Sequence, residues 1–499
     1  MATVTWTGAV STTYSTDGNW DTGSKPTSSD DVIIANVTND CVLTGSPTVN
    51  SWTVQSGARF NGNTETITVV GENSSGFAID IDGEVVGTTT NFTVETPAAT
   101  NIDLKATSGN VRHVTINHAS CAAAIAGGFM TITGNLTITA GSLNTGGNDL
   151  TVTGTTTIGP ASGAADQATL TCNASTVSLG SGITSSAYGL YVNQGGTFTG
   201  GSGTHTLGSV VVRNNAAAKC TLTSGVTTID SENTSDNFAL SIEAASTFDD
   251  GNGTVTFTIG DTTRIRTNTK PLYNVIVNNA NASIEYVGDQ TIDNDLTVTA
   301  GKFRYNSFED LTVTGNVSVT GILGHPNVGT TSDSTFGSLT INSGGEYKAP
   351  SGTTTITTAT GAGSSSNRAA FCHASGTFTH NNGLFKTTAG NADVEFTSQS
   401  ETNNPFYNFE ATQYAIAATS PWVVLNNMTI ANGFQFNGSG GFAKVLGIMK
   451  HTGGTYNASD VSSSTSRFFN HYRLEGGTLD LSNIDITVGS IRNTGGTIS

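Results

Sequence analysis

Short strand-like runs recur in fixed order along this chain, and that recurrence limits its folding more than any other feature. Thr-Phe, four residues and a glycine is written three times: "GGTFTGGSG" from Gly195, "STFDDGNG" from Ser246 and "GTFTHNNG" from Gly376. Aligned on Phe198, Phe248 and Phe378, the copies share more than the motif. Leu190, Leu240 and Ala370 stand eight residues earlier, and Val192, Ile242 and Cys372 six earlier. Leu179, Ile229 and Ile356 each follow a Thr/Ser-rich run farther upstream. Downstream, "PLYNVIVNN" at 271–279 is echoed by "PFYNFEATQ" at 405–413, and "NDLTVTAGKF" at 294–303 by "NNMTIANGFQF" at 426–436. "NLTITAGSLNTGGNDLTVTG" at 135–154 pairs with "NDLTVTAGKFRYNSFEDLTVTG" at 294–315, two strands in each.

Within these runs apolar residues recur at spacing two. In "DLTVT" at 295–299, Leu296 and Val298 face one way and Thr297 and Thr299 the other. Inward Leu, Val and Ile stack coil on coil, while outward Thr suits a solvated β surface. Gly and Asn between the strands permit the positive φ of tight corners. Such fixed-order repeats predict an all-β, elongated parallel β-solenoid built from duplicated coils. An up-and-down barrel or a series of β-sandwiches is the competing reading. The solenoid is favoured because no linker separates the cassettes and the strands recur too closely for sandwiches.

The opening segment, residues 1–40, differs from all later text and brings Trp6, Tyr14 and Trp20 close together, so it is expected to form an N-terminal cap or attachment segment. The solenoid is expected over 41–499, with cassettes at about 177–245, 229–325 and 356–450 and final coils marked by GGT at 453, 476 and 495. The closing "RNTGGTIS" keeps the repeat pattern to its end, which points to a contact with another chain.

Composition removes several function classes. The net charge of −18 leaves no basic stripe for nucleic acid. The start "ATVTWTGAV" has neither a basic n-region nor an apolar run fit for a signal peptide or membrane span. Cys41, Cys121, Cys172, Cys220 and Cys372 are scattered, odd in number and without a C-x-x-C pair, so neither a zinc site nor a disulfide framework is indicated. Cys41, Cys172 and Cys220 alternate with Leu43, Leu170 and Leu222, which makes them small core residues.

The opening "W-T-G…NW-D-x-G-x-x-P-x-x-x-D-D-V-I-I" from Trp6 to Ile34, with the "G-T-F-x-x-x-x-G" and "L-T-V-T-A-G" units, resembles the right-handed parallel β-helix repeats of autotransporter-like bacterial adhesins. It also resembles the β-solenoid fibre, spike and decoration proteins of tailed bacteriophages. The resemblance implies a non-enzymatic virion structural protein, made in the host cytoplasm without a signal peptide and carried on the virion surface. Its implied partners are other virion proteins, further copies of itself as a homotrimer, and host surface polysaccharide, with no nucleic acid and no membrane insertion. A bacterial cell-surface adhesin and a polysaccharide-degrading tailspike-like enzyme are the alternatives.

Phage spikes of this kind cut polysaccharide with paired carboxylates. The candidates are Asp249 with Asp250, the set Glu285, Asp289, Asp293 and Asp295, and Glu309 with Asp310. Turn and strand-end positions account for all of them, and no catalytic residue is assigned. His373 and His380 fall at outward repeat positions, and His113 and His118, five apart, point to opposite strand faces. "DIDGE" at 80–84 and "DDGNG" at 249–253 are fragments of calcium loops without the full pattern. No cofactor is expected, with calcium alone left open. For glycan contact by ring stacking, the candidates are Tyr188, Tyr191, Tyr305, Tyr347 and Trp422.

Overall fold

The computed structural model describes the chain except residues 87–89, 98–100, 162–167, 184–186, 306–307, 325–330, 358–370, 391, 397–398, 414, 418–420, 437–442, 458–465 and 482–484. Of residues 101–102, 107–110, 371–374, 392–393, 395–396, 416–417, 435–436, 457, 466–467 and 485 it describes the backbone alone. It is a parallel β-solenoid of stacked coils, in two compact units, Met1–Thr256 and Phe257–Ser499. The one helical element among the described residues is the 3-10 turn Asp17–Asn19. No helix among them is long and apolar enough to cross a membrane.

In the first unit three families of parallel pairing recur. The strands Thr156–Ile158, Leu190–Val192, Val210–Val212 and Phe238–Ile242 stack in register, so that Ile158, Val192, Val212 and Ile242 form one inward column. A second family stacks Ala168–Thr171, Gly196–Thr199, Lys219–Thr221 and Thr247–Asp249. The third stacks Val177–Leu179, His205–Leu207 and Val226–Ile229, with Leu179, Leu207 and Ile229 inward. These column residues have no solvent exposure. Each such aliphatic side chain is worth about 1.5–3 kcal/mol relative to leaving it in water. Because the side-chain period is two, a slip of one residue would turn a whole column outward, and the alternation therefore fixes the register.

The Thr-Phe motif is one slot of this frame. Leu170, Phe198, Cys220 and Phe248 follow one another in the second family, so the first two copies lie two coils apart with a coil between that carries Cys in the Phe position. In the second unit Phe378 ends an equivalent column of Ile284, Phe303, Leu323 and Tyr347. The closing glycine has a steric cause. A Cβ on Gly203 would lie 1.8 Å from the Ser175 carbonyl oxygen, on Gly253 2.2 Å from that of Thr223, and on Gly383 2.4 Å from that of Pro350. At this corner the backbone crosses the coil before it too closely for any side chain.

The other repeats mark equivalent joints. Leu272 and Phe406, each after a proline, make isolated parallel bridges to Ile292 and Val424. Two residues on, the Asn274 side-chain oxygen accepts from the Asp295 backbone N–H at 3.2 Å, and that of Asn408 from the Asn427 N–H at 3.3 Å. Asp295 then caps the Asn316 N–H at 2.7 Å and Asn427 the Ile448 N–H at 3.0 Å. Each polar residue entering a strand thus satisfies an amide of the next coil that the ladder leaves open.

Strand pairing runs across residue 40. Thr3–Trp6 pairs with Asp31–Ile34, and that strand with Ser51–Val54, so the opening segment contributes coils of its own. Its aromatic cluster does form: Trp6 and Trp20 meet edge to face at 5.1 Å, Tyr14 and Trp20 at 5.2 Å, and Tyr14 stacks on Trp52 at 6.1 Å. The fully buried Asn19 side chain holds the intervening loop by accepting from the Val10 and Ser11 amides and donating to the Thr13 carbonyl.

Candidate functional site

The five aromatic candidates separate into core and surface. Tyr305, Tyr347 and Trp422 are at most 1% exposed, which leaves no ring face for a glycan and removes them as contact residues. Tyr347 stands in the Phe column, its hydroxyl 2.9 Å from Thr354 Oγ1. "GGEYK" at 344–348 is the Thr-Phe motif with Tyr in the Phe place, a signal legible in the sequence. Tyr305 stacks under Tyr286 at 5.7 Å, and Trp422 packs among Phe406, Phe409 and Phe434.

Tyr188 and Tyr191 are half-buried at the surface and stack on each other, centroids 5.2 Å apart and planes 11° from parallel. Tyr191 belongs to an outward row, Thr157, Tyr191, Val211 and Ser241. Farther along the row Val211 and Ser241 are only 8% and 2% exposed, so the row is covered beyond Tyr191. Polar groups from neighbouring coils surround the pair. Arg213 Nη1 donates to Tyr191 Oη at 3.0 Å, and Tyr188 Oη donates to Asp236 Oδ2 at 3.3 Å. Burial, and then Asp236, push the Tyr188 phenol above its ordinary pKa, so it remains a neutral donor. A ring platform flanked by a guanidinium and carboxylates is the chemistry that holds a hydroxylated ring by stacking and hydrogen bonds.

Phe308 was not a sequence candidate. It is 79% exposed and has a φ of +70°, the left-handed region that a bulky residue enters at a cost of about 1–3 kcal/mol. In the aligned repeat at 135–154 the same place, three residues before Leu150, is Gly147 with φ +90°. A phenyl ring in a glycine slot is the signal that could have found it.

Most of the candidate carboxylates act as backbone acceptors. Asp249 and Asp250 close their own turn, accepting from the Gly251 amide at 2.8 Å and the Asn252 amide at 3.0 Å. Asp289 accepts from the Asp310 amide at 3.0 Å, Asp310 from the Asp333 amide at 2.7 Å, and Asp333 from the Thr353 amide at 2.6 Å. Glu309 accepts from the Gly288 amide at 2.8 Å. Glu285 stands in an outward row between Arg264 and Arg304, and Asp293 follows the strand Gln290–Ile292.

His113 Nδ1 accepts the Asn135 amide of the next coil at 2.8 Å, a capping role like that of Asn274; burial and then Arg112 lower its pKa. His118 accepts the Ser120 amide, and His380 accepts the Asn382 amide and stacks on Tyr407 at 5.5 Å. The His373 side chain lies outside the described residues. Two histidines not singled out by the sequence, His205 and His451, are wholly buried. His451 bonds Tyr472 Oη at 3.0 Å and the Gly453 carbonyl at 2.9 Å. Among the described residues no three His, Cys, Asp or Glu side chains converge to hold a metal ion.

Cys41, Cys121, Cys172 and Cys220 are buried and free. Burial pushes the Cys121 thiol up to about 11 and Cys220 up to about 12, and raises Cys41 and Cys172 as well, so all four behave as small apolar residues. Cys372 is in register with Leu339 and Val394, and its side chain lies outside the described residues. Compared with protein-family models, with curated proteins and with solved structures, the chain matches none of them.

Proposed function

We propose that the chain is a non-enzymatic structural protein of a bacteriophage particle, a fibre, spike or decoration protein, carried on the virion surface and partnered by other virion proteins or by copies of itself. One observation carries the non-enzymatic part. Of the candidate carboxylates, Asp289, Asp295, Glu309 and Asp310 each accept a backbone amide of a neighbouring coil, and Asp249 and Asp250 accept amides of their own turn. A side chain whose oxygen is engaged by a backbone N–H is a scaffold element first, and repeating it along the coils stiffens the stack. The virion assignment rests on the resemblance of the repeats to phage β-solenoid proteins. Mass spectrometry of purified particles and of washed cell envelopes, with antibody-gold electron microscopy, tests it. A fixed copy number on virions is the expected result, whereas presence on envelopes with virions clean would replace it with the adhesin reading.

Contact with a surface glycan is a second element, favoured by the Tyr188–Tyr191 stack and the polar groups around it. Glycan-array binding that is lost in Tyr188→Ala, with thermal unfolding unchanged, is expected. Binding indifferent to that substitution removes the patch from the proposal.

A further inference from the structure

Along one face of the first unit the outward position is threonine six times running. Thr48, Thr68, Thr93, Thr115, Thr137 and Thr157 pair in register from coil to coil, and Tyr191 ends the row. At a ladder spacing of about 4.8 Å the row is about 24 Å long. Other outward rows of the unit are mixed. One reads Ser142, Thr169, Thr197, Lys219 and Thr247, another Thr131, Thr151, Ser178, Thr206 and Thr228.

The row is held in place and its hydroxyls are uncommitted. The next residue of each strand, Val49, Val69, Val94, Ile116, Ile138 and Ile158, points inward with no solvent exposure, so no strand of the row is free to shift. Branching at Cβ restricts χ1 and limits the directions the hydroxyl and methyl can take. Thr48 is exposed and the other five are half-buried. Among the described residues none of the six hydroxyls has a hydrogen-bond partner. Other threonines turn theirs inward, Thr133 to the Val111 carbonyl and Thr223 to that of Gly203. The borders of the row are spent on their own neighbours. On one side Asn117 donates to Glu95 and accepts from the Thr139 hydroxyl; on the other His113 and Asn135 accept the Asn135 and Thr155 amides.

A row of this kind offers little to a dissolved molecule. It surrounds no ligand, and each hydroxyl bond to a solute merely replaces one to water. A partner that repeats at the same interval is different. Once one of its groups is seated the next arrives at the next threonine, and contacts accumulate without further loss of freedom. Frozen water is a partner of that chemistry: its oxygens recur across the crystal surface at close to the strand spacing, and each donates and accepts as a hydroxyl does. We infer that the threonine row binds the surface of ice. The inference stands on this face alone and does not depend on whether the chain is found on virions or on cells.

Recrystallisation of polycrystalline ice and the habit of single ice crystals, both with the full chain in solution, test it. Wild type is expected to arrest recrystallisation and to facet the crystals at micromolar concentration. Thr115→Lys sets a hydrated ammonium in mid-row and should abolish both effects, with Thr137→Lys as a second variant of the same row. Thr206→Lys, on a mixed row, should leave both effects unchanged. Circular dichroism and melting curves identify the variants that keep the fold. Ice growth indifferent to wild type overturns the inference. So does an effect that survives the folded row variants, or one lost equally in Thr206→Lys.

Discussion

Replacing His205 with leucine probes the interior at the point where it is least at ease. His205 occupies an inward column between Val177 of one coil and Thr227 of the next, with no solvent exposure and Phe198 edge-on at 6.0 Å. Neither ring nitrogen has a hydrogen-bond partner, and the Thr227 hydroxyl beside it has none either. The Gly200 backbone acts on the ring in the opposite sense to burial, and the more weakly of the two. Desolvation accordingly lowers the imidazole pKa from 6.5 to about 4. The unfolded chain then takes up its proton near its ordinary pKa while the folded chain refuses it until far lower pH. Stability from this site is full above that ordinary value and is lost as pH falls towards the folded pKa. At about 1.4 kcal/mol per pKa unit, the loss between about pH 7.5 and about pH 4.5 is about 2.5 kcal/mol. Leucine matches the column's aliphatic members and carries no proton, so His205→Leu should lack this part of the acid sensitivity. Denaturant unfolding followed by circular dichroism at both pH values, on wild type and variant, isolates the effect as a difference of differences in which the other titrations cancel. Equal acid sensitivity in the two proteins would refute the reasoning, because it would mean that His205 is hydrated or partnered when folded.

Asn274→Ala removes both the cap on the Asp295 amide and the bond from Asn294 Nδ2. It is expected to cost about 1–3 kcal/mol and to speed hydrogen exchange locally at the start of the strand Leu296–Tyr305. Tyr347→Ala should cost about 3–5 kcal/mol by leaving a cavity in the Phe column, read as a lowered melting temperature, with glycan-array binding unaffected by the change in any fraction that remains folded. Cys41, Cys172 and Cys220 should resist thiol reagents at mildly alkaline pH until the chain is unfolded, since burial disfavours each thiolate. Labelling of Cys220 at the rate of a free thiol in the native protein would contradict the closed core.

The period-two alternation specifies strands with one buried face, and the recurrence of whole cassettes without linkers favours stacking them coil on coil, which brings their inward positions into register. The equivalence of Phe198 and Phe248 was legible for that reason, and so was the core position of Cys220 beside Leu222. The coil between them was not, because Lys219-Cys220-Thr221 has lost the Thr-Phe wording while keeping its place in register. The pairing of Asn274 with Asn408 could be read as a repeat, but its purpose, an amide on the next coil, appears only when the coils are stacked.

Side-chain type and spacing thus determined the fold class, the inward columns and the glycine corners of this protein. The tertiary structure decided which polar and aromatic groups remain available. Register buries Tyr305, Tyr347 and Trp422 and leaves Tyr188 and Tyr191 at the surface. It also commits several acids to neighbouring amides. Those outcomes depend on contacts between residues about twenty or more positions apart, set by the length of each coil, and a linear pattern of period two carries no record of them.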